Sequence, residues 1–497
     1  MMRLRDTSEA LAWLRAHASG ALHSDSRLIT VGDAFLAWPG HASDGRAHVR
    51  AALERGAAAC LVEAEGAQAF DLPSTDVALF AGLKQAAGIL AAQWWGHANG
   101  LPKVLAVTGT NGKTSTSWWL AEAINKLSKS ELPALSGCAF VGTLGVGIAP
   151  QLQHTGLTTP DALALQRQLA QWADAGIGAC AMEASSIGLI EGRLAGTAIA
   201  VALFTNFTQD HLDYHGSMQA YWQANRALFD WPGLQAAVVN VDDPQGAQLH
   251  GTLATRALDL WSVAIDAPAR LRAVDVRQGS QGLAFTLVEG AQQLPMHTHL
   301  LGRYNVSNLL GVLAALRALG VSLVQAAQAC AQLSPVPGRM QQIGGMDEPL
   351  AVIDYAHTPD ALTQALAALR PLAQVRGGRL WCVFGCGGQR DALKRPLMGA
   401  AAQQGADCVL VTSDNPRGED PQAIMAQISQ GMDARHLRSQ VDRALAIAQA
   451  LREADVHDVV LIAGKGHEDY QEVAGQRRSF SDLEQARQAL AARRKAA

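Results

Sequence analysis

One run of eight residues constrains this chain more than any other: TGTNGKTS at 108–115, set between the apolar VLAV and the helical WWLAEAINKL. Gly109 and Gly112 permit a tight turn and close backbone approach. Backbone N–H groups at the start of the next helix can then cradle phosphates, with Thr110, Asn111 and Ser115 completing the loop. Lys113 is placed to neutralise β/γ oxygens, and Thr114 to offer its hydroxyl to Mg²⁺. Only two residues separate Gly109 from Gly112, so the spacing departs from the common G-x-x-x-x-G-K-[ST] loop. An incidental glycine-rich turn is not expected to bring a strand, a helix and Gly-Lys-Thr together. The run predicts a parallel α/β sheet and ATP as ligand. It says nothing of the acceptor.

Around this loop, strand-like and helical runs alternate along 497 residues, enough for two to four domains. Residues 1–100 form a small α/β unit. Gly100-Leu101-Pro102 punctuates the chain before KVLAVTG, and a central domain with a mainly parallel sheet follows over 101–335. Pro335-Val-Pro-Gly338 reads as a linker. Beyond it LAVIDYA, RLWCVFGCGG, CVLVTSDNP and DVVLIAGKG predict a second doubly wound sheet over 336–497. Its functional residues are expected at the C-terminal ends of the strands.

Composition narrows the class. Hydrophobic residues are 49%, charged residues 17% and the net charge is −4, with no basic stripe for nucleic acid or an anionic membrane. No run of ~18 apolar residues predicts a membrane span, and MMRLRDTSEALAWLRAHA does not suit a signal peptide. The cysteines at 60, 138, 180, 330, 382, 386 and 408 are odd in number and lack C-x-x-C, so reduced thiols in the cytoplasm are expected rather than disulfides or zinc. Arg493, Arg494 and Lys495 read as a solvated helix end.

Two polar clusters follow apolar strands. CAMEASSIGL puts Glu183 at a strand end, where a carboxylate suits Mg²⁺ or else caps a helix. FTNFTQDHLDYHG packs Asp210, His211, Asp213 and His215 into six residues, a phosphate- or metal-side loop or simply a satisfied polar one. In VVNVDDP, Asn240 and Asp243 can bond a nucleotide base or shape a turn.

Taken in order, GTNGKT, MEASS, TNFTQDHLDYHG, NVDDP, LGRYNVSN, VPGRMQ, DYAHTPDAL, FGCGGQRD, KRP, DNPRGEDP and AGKGHE resemble the Mur ligase family, which includes folylpolyglutamate and cyanophycin synthetases. The likeness spans nearly the whole chain. It implies three domains, one for UDP, a central ATPase and a C-terminal Rossmann-like lobe. It also implies ATP and Mg²⁺, a monomer, and an acyl-phosphate route. Within the family the chain looks most like the branch that adds meso-diaminopimelate to UDP-N-acetylmuramoyl-L-Ala-D-Glu. Alternatives are a ligase for another amino acid such as L-lysine, or a nucleotide-binding paralogue without ligase chemistry.

Residue by residue, the resemblance assigns Ser26, His41, Ala42 and Ser43 to the uridine nucleotide. Thr158, Thr159, Ser185, Glu191 and Arg193 fall at muramoyl-dipeptide positions, although Glu191 stands where an amide is expected. Asp414, Asn415, Pro416 and Arg417, with Arg390, Gly464 and Glu468, fall at diaminopimelate positions; two guanidinium forks suit the extra carboxylate. Lys113, Glu183, His211 and Asn225 fall at catalytic positions, with Thr114, Glu183 and His211 on the metal side. Asn240 and Arg339 join the ATP set, and Asp354, Tyr355 and His357 complete the site. One departure stands out. In YWQANRALF, Asn225 replaces the lysine whose carbamate helps hold a second Mg²⁺ in the family.

Overall fold

A computed structural model describes residues 1–40, 43–96, 100–127, 135–279, 282–433 and 438–496. The chain divides into two compact units. The first is Met1–Thr108 with Ser128–Ala202 and Gln223–Ala237; the second is Gly109–Leu127, Leu203–Trp222 and Val238–Ala497.

The first unit opens with five strands, β1 (Met2–Leu4), β2 (Leu22–His23), β3 (Ala34–Ala37), β4 (Ala59–Glu63) and β5 (Val77–Phe80), all parallel in the order β1-β5-β4-β3-β2. Their side chains alternate between two cores. Leu36, Leu61 and Phe80 face one; Phe35, Cys60 and Val77 face the other. A sheet buried on both sides reads as unbroken apolar runs, which is why ACLVE is buried throughout. The same unit holds β6 (Lys103–Thr108), β7 (Cys138–Gly142), β8 (Gly145–Ile148), β9 (Gln151–Gln153) and β10 (Ala179–Glu183), in the order β6-β10-β7-β8-β9. Strands β6, β10 and β7 are parallel, in the register Glu183↔Val107 and Met182↔Val141, and the short β8 and β9 turn back antiparallel. Strands β11 (Ile199–Phe204) and β12 (Ala236–Asn240) run from the first unit into the second.

The second unit continues with β13 (Asp259–Ala264), β14 (Leu271–Gly279), β15 (Gly282–Glu289) and β16 (Gln292–Thr298). The last three form an antiparallel meander that the sequence reading passed over. Then come β17 (Gln341–Ile343), β18 (Leu350–Asp354), β19 (Leu380–Phe384), β20 (Cys408–Val411) and β21 (Val459–Ala463), in the order β17-β18-β21-β19-β20. All pairs are parallel except edge strand β17. Val352, Leu461 and Cys382 face one core, and Ile353, Ile462 and Trp381 the other, so helices cover both sides as in a doubly wound sheet. A hairpin, β22 (Tyr470–Val473) and β23 (Gln476–Ser479), precedes the helix Asp482–Ala496.

The 335–338 segment is irregular, with Pro335 and Pro337 exposed and Val336 fully buried. The terminal arginines are not simply solvated. Arg493 donates to the carbonyls of Leu451 and Ala454 (2.8 and 2.6 Å), closing the C-terminal end of the helix Arg443–Glu453, and Arg494 pairs with Glu348 at 3.3 Å. Among the described residues no helix is long and apolar enough to cross a membrane.

Candidate active site

The phosphate loop lies in the second unit. Gly109 (φ +129°) and Gly112 (φ +85°) are in conformations that L side chains resist. A Cβ on Gly109 would also strike Thr205 and Asn206, and one on Gly112 would strike Asn308. Close approach thus demands glycine twice. The loop is laced to the TNFT segment. The Thr110 N–H donates to Asn206 O (2.8 Å), its hydroxyl donates to Thr208 O (3.0 Å), and the Asn111 N–H donates to Asn206 Oδ1 (2.9 Å). Tyr221 donates to the Thr110 hydroxyl at 3.1 Å. Lys113 opens the helix Lys113–Lys126 and curls over the loop, donating to Gly109 O (2.7 Å) and Thr110 O (2.8 Å). An incoming anion meets this ammonium together with helix-start N–H groups.

The C-terminal part of the same unit reaches this loop. Arg339 donates to the Thr114 hydroxyl at 3.2 Å while lying 4.3 Å over the Tyr355 ring. Asn111 donates to Asp360 at 3.4 Å. His211, in a left-handed conformation (φ +53°), pairs with Asp210 at 3.6 Å. Burial lowers the His211 pKa, and Lys113 and Arg390 add to this against the pull of Asp210. Burial pushes Asp210 up, but His211, His357, the His211 N–H and Lys113 together outweigh it and its pKa falls. His357 is pushed down to about 4 by burial and then by Lys394, and its Nδ1 meets Tyr355 O at 2.9 Å. Asp354 instead serves the backbone, accepting from the N–H groups of Met340 and Ala356 (both 2.8 Å).

Asn240 and Asp243 are occupied in shaping the turn. Asn240 donates to Thr205 O (2.8 Å) and accepts from the Asp242 N–H (3.2 Å). Asp243 caps the helix Pro244–Leu253 through the N–H groups of Gln245 and Gly246, and also takes the Phe207 N–H at 2.8 Å. Asp243→Ala is expected to cost about 1–2 kcal/mol, the usual range for a lost N-cap. Urea denaturation measures it; a change under about 0.3 kcal/mol would remove this account.

A second cluster lies in the first unit. Glu183, 1% exposed, accepts from the Thr143 N–H (2.7 Å) and hydroxyl (3.3 Å). The Thr143 hydroxyl meets that of Thr158 at 3.1 Å. Thr159 donates to Glu183 O (2.9 Å) and meets Ser185 (3.0 Å), and Arg193 donates to Thr159 O (3.0 Å). Five predicted residues, Glu183, Thr158, Thr159, Ser185 and Arg193, thus share one hydrogen-bonded patch. Glu191 accepts from Lys84 at 2.7 Å, so its charge is balanced where an amide was expected. Asn225, 1% exposed, accepts from the Thr108 hydroxyl at 2.7 Å, which ties its helix to the end of β6. Ser26 opens a one-turn helix capped by Asp25, and Ser43 O closes a loop onto the Gly40 N–H. His41 and Ala42 lie outside the described residues.

The third cluster sits at the C-terminal ends of β19, β20 and β21. Arg417 is held at φ +52°, its guanidinium donating to Gly388 O (2.7 Å) and its N–H to Glu472 O (3.0 Å). The 387–390 and 414–419 loops are joined by Arg395, 1% exposed, which grips both oxygens of Glu419 and the carbonyl of Gly387. Gly464 leaves room for the Asp414 carboxylate, which a Cβ there would crowd. Pro416 turns its carbonyl against Gly388, where a Cβ would strike it. Sequence reasoning missed the β22–β23 hairpin, whose Gln471 donates to Ser413 Oγ and Asp414 O (3.0 and 2.7 Å). It also missed Arg395, Lys465 and Arg443. Lys465 stood in the quoted AGKGHE, a usable signal; Arg443 had no local one.

Among the described residues no group of three or more His, Cys, Asp or Glu is placed to hold a metal by itself. Oxygen donors are at hand: the Thr114 hydroxyl lies in the loop itself, and the Asp360 carboxylate meets Asn111 at 3.4 Å. That set fits a hard cation completed by phosphate oxygens and water, as Mg²⁺ usually is.

A phosphate loop between strand and helix on an α/β chain defines a P-loop protein, and this chain belongs to the Mur ligase family. The Mur ligase middle domain matches residues 107–316, and the Mur ligase glutamate ligase domain matches 338–466. The chain is 65% identical over 491 residues to the UDP-N-acetylmuramoyl-L-alanyl-D-glutamate--2,6-diaminopimelate ligase of Acidovorax sp. (strain JS42), covering 99% of this chain and 98% of that one. The ligase of the same name from Pseudomonas aeruginosa is 48% identical over 94% of each chain. A solved structure of a ligase of that name matches with a TM-score of 0.67 at 38% identity, covering 95% of each chain. The MurF ligase of Thermotoga maritima, solved in complex with ADP, shares the fold at a TM-score of 0.65 and 17% identity, over 96% of this chain and 98% of that one. The N-terminal parallel sheet, the large central sheet and the C-terminal sheet are the family's three-part α/β architecture.

Proposed function

We propose that this protein is a cytoplasmic, monomeric, ATP-dependent ligase that adds meso-diaminopimelate to the D-Glu γ-carboxylate of UDP-N-acetylmuramoyl-L-Ala-D-Glu. The observation that carries the reading is the 65% identity to the Acidovorax ligase over 99% of the chain. The clusters fit its chemistry, with domain boundaries near 100 and 335. A carboxylate oxygen attacks the γ-phosphorus of ATP, and the bond to the β-phosphate oxygen breaks to release ADP. The amine of diaminopimelate then attacks the acyl carbon, phosphate leaves, and the amine gives up a proton as the amide forms. Phosphoryl transfer needs positioning and charge neutralisation more than covalent help. Lys113 and the helix-start N–H groups supply this at the phosphates, and Arg339 and His211 border them. For Mg²⁺, which would add neutralising charge, the candidate donors are Thr114 and His211 in the second unit and Glu183 in the first. Thr158, Thr159, Ser185 and Arg193 hold the muramoyl dipeptide, and Ser26, His41, Ala42 and Ser43 the uridine end. Arg390 and Arg417 take the distal carboxylate, and Asp414 and Glu468 the ammonium groups.

ADP release with ATP, Mg²⁺ and the UDP-dipeptide, with meso-diaminopimelate or L-lysine added in parallel, tests this. Release only with diaminopimelate is expected. Arg417→Lys should raise KM for diaminopimelate about 10–100-fold, because a point charge cannot replace a planar fork at a carboxylate. Equal KM values would remove Arg417 from that role. Asn225, which cannot form a carbamate, favours one second reading, a nucleotide-binding paralogue. That reading predicts ATP binding with no ADP release on any amino acid.

A further inference from the structure

Lys465 is 0% exposed, a rare state for lysine, which is almost never fully buried unless paired. It leaves the end of β21 between Gly464 and Gly466, behind the proposed amino-acid site. Its ammonium donates to Glu468 Oε2 at 2.8 Å and to Asn415 Oδ1 at 3.1 Å. It also lies 5.3 Å from the centre of the Tyr470 ring. Asn415 closes the triangle by donating from Nδ2 to Glu468 Oε2 at 2.8 Å. Asn415 Oδ1 further accepts the Glu472 N–H at 3.0 Å, which brings the β22–β23 hairpin into the same knot.

The distribution of these bonds is uneven in a telling way. Glu468 Oε2 receives two donors; Oε1 receives none from any described residue. The Glu468 side chain keeps 16% of its surface exposed while Lys465 keeps none. One carboxylate oxygen is therefore anchored inward and the other is left to accept from outside. Stability alone does not call for this arrangement. A buried ion pair exchanged for apolar side chains of similar volume is often neutral or better, so a dry ammonium here earns its place through orientation.

We propose that Lys465 is a positioning residue for the amino-acid substrate, fixing Glu468 and Asn415 so that Glu468 Oε1 receives a substrate ammonium group. This deepens the ligase reading and rests on it. Lys465 touches no substrate; it acts through Glu468.

The test is steady-state kinetics of the full chain and of Lys465→Met, Lys465→Gln, Glu468→Gln and the Lys465→Met/Glu468→Gln double variant. The expected result is a KM for meso-diaminopimelate at least tenfold higher in Lys465→Met, with KM for ATP and for the UDP-dipeptide within twofold. Lys465→Gln, which keeps one donor, should fall between. The double variant should be no worse than Glu468→Gln alone, because a residue acting through another adds nothing once that other is gone. Additive losses overturn the proposal, as do equal changes in all three KM values or an unchanged KM for diaminopimelate. If Lys465→Met does not fold, the same cycle with Lys465→Gln decides. A wild-type chain silent with diaminopimelate removes the ligase reading and this inference together. An active wild type with an unaffected Lys465 variant removes this inference alone.

Discussion

Lys113→Met is expected to leave a folded protein whose kcat/KM for ATP falls by about 10²–10³-fold, the usual consequence of removing one preorganised donor aimed at developing charge. The geometry explains why the loss should lie in turnover and not in folding. Lys113 donates to the carbonyls of Gly109 and Thr110 within the loop. The turn itself is held elsewhere, by Thr110, Asn111, Asn206 and Thr208. Methionine keeps the stem and removes the charge. ADP release, with circular dichroism as a check on folding, measures the effect. A loss under tenfold would mean that backbone N–H groups and the metal carry the phosphates without the lysine.

The largest expected effect on stability lies in a buried ion pair behind the proposed amino-acid site. Arg443 and Asp482 are both fully buried, joined by two bonds of 2.7 Å. The guanidinium also donates to Ser413 O (3.2 Å) and Ala463 O (2.9 Å), the residues just before Asp414 and Gly464. Arg443→Met should therefore cost about 3–5 kcal/mol, because it strands a carboxylate in a dry interior. Pairing it with Asp482→Leu should recover most of the loss, since no unpaired charge then remains. Urea denaturation of the single and double variants decides. A double variant no more stable than the single would show that the two carbonyls, not the carboxylate, set the cost.

Much of the architecture was legible because strands buried on both faces leave unbroken apolar runs. VLAV, ACLVE, LAVID, LWCVF and VVLIA could be read directly, and the glycines of 109–112 located the loop between strand and helix. The β14–β16 meander was not legible. Leu271–Gly279 buries only Leu271 and Ala273, leaves Asp275, Arg277 and Gly279 exposed and carries Arg272, so it lacks the apolar run that marks the other strands. The residues reading ligand-like chemistry were visible as motifs; the side chains that hold them were not. Arg395 reads as one more basic residue until its two loops are seen to converge on it. Arg443 and Asp482 are 39 residues apart, and no local pattern announces such a pair. Asn240 had two open readings, and the folded chain commits both ends of its amide to the turn.

The buried pair also bears on how the chain is made. Arg443 leaves the ribosome before Asp482, which arrives 39 residues later on the helix Asp482–Ala496. Until then the guanidinium has no partner carboxylate, and closing the sheet over it would cost several kcal/mol. Strands β18 to β21 can all be synthesised and still be unable to shut. The turns after β20 and β21, which hold Asp414 and Gly464, are thus expected to set only after the following helix has docked. A nascent chain halted before that helix would hold an open, unfinished edge and expose it to proteases, while the phosphate loop, more than 300 residues upstream, is already long complete.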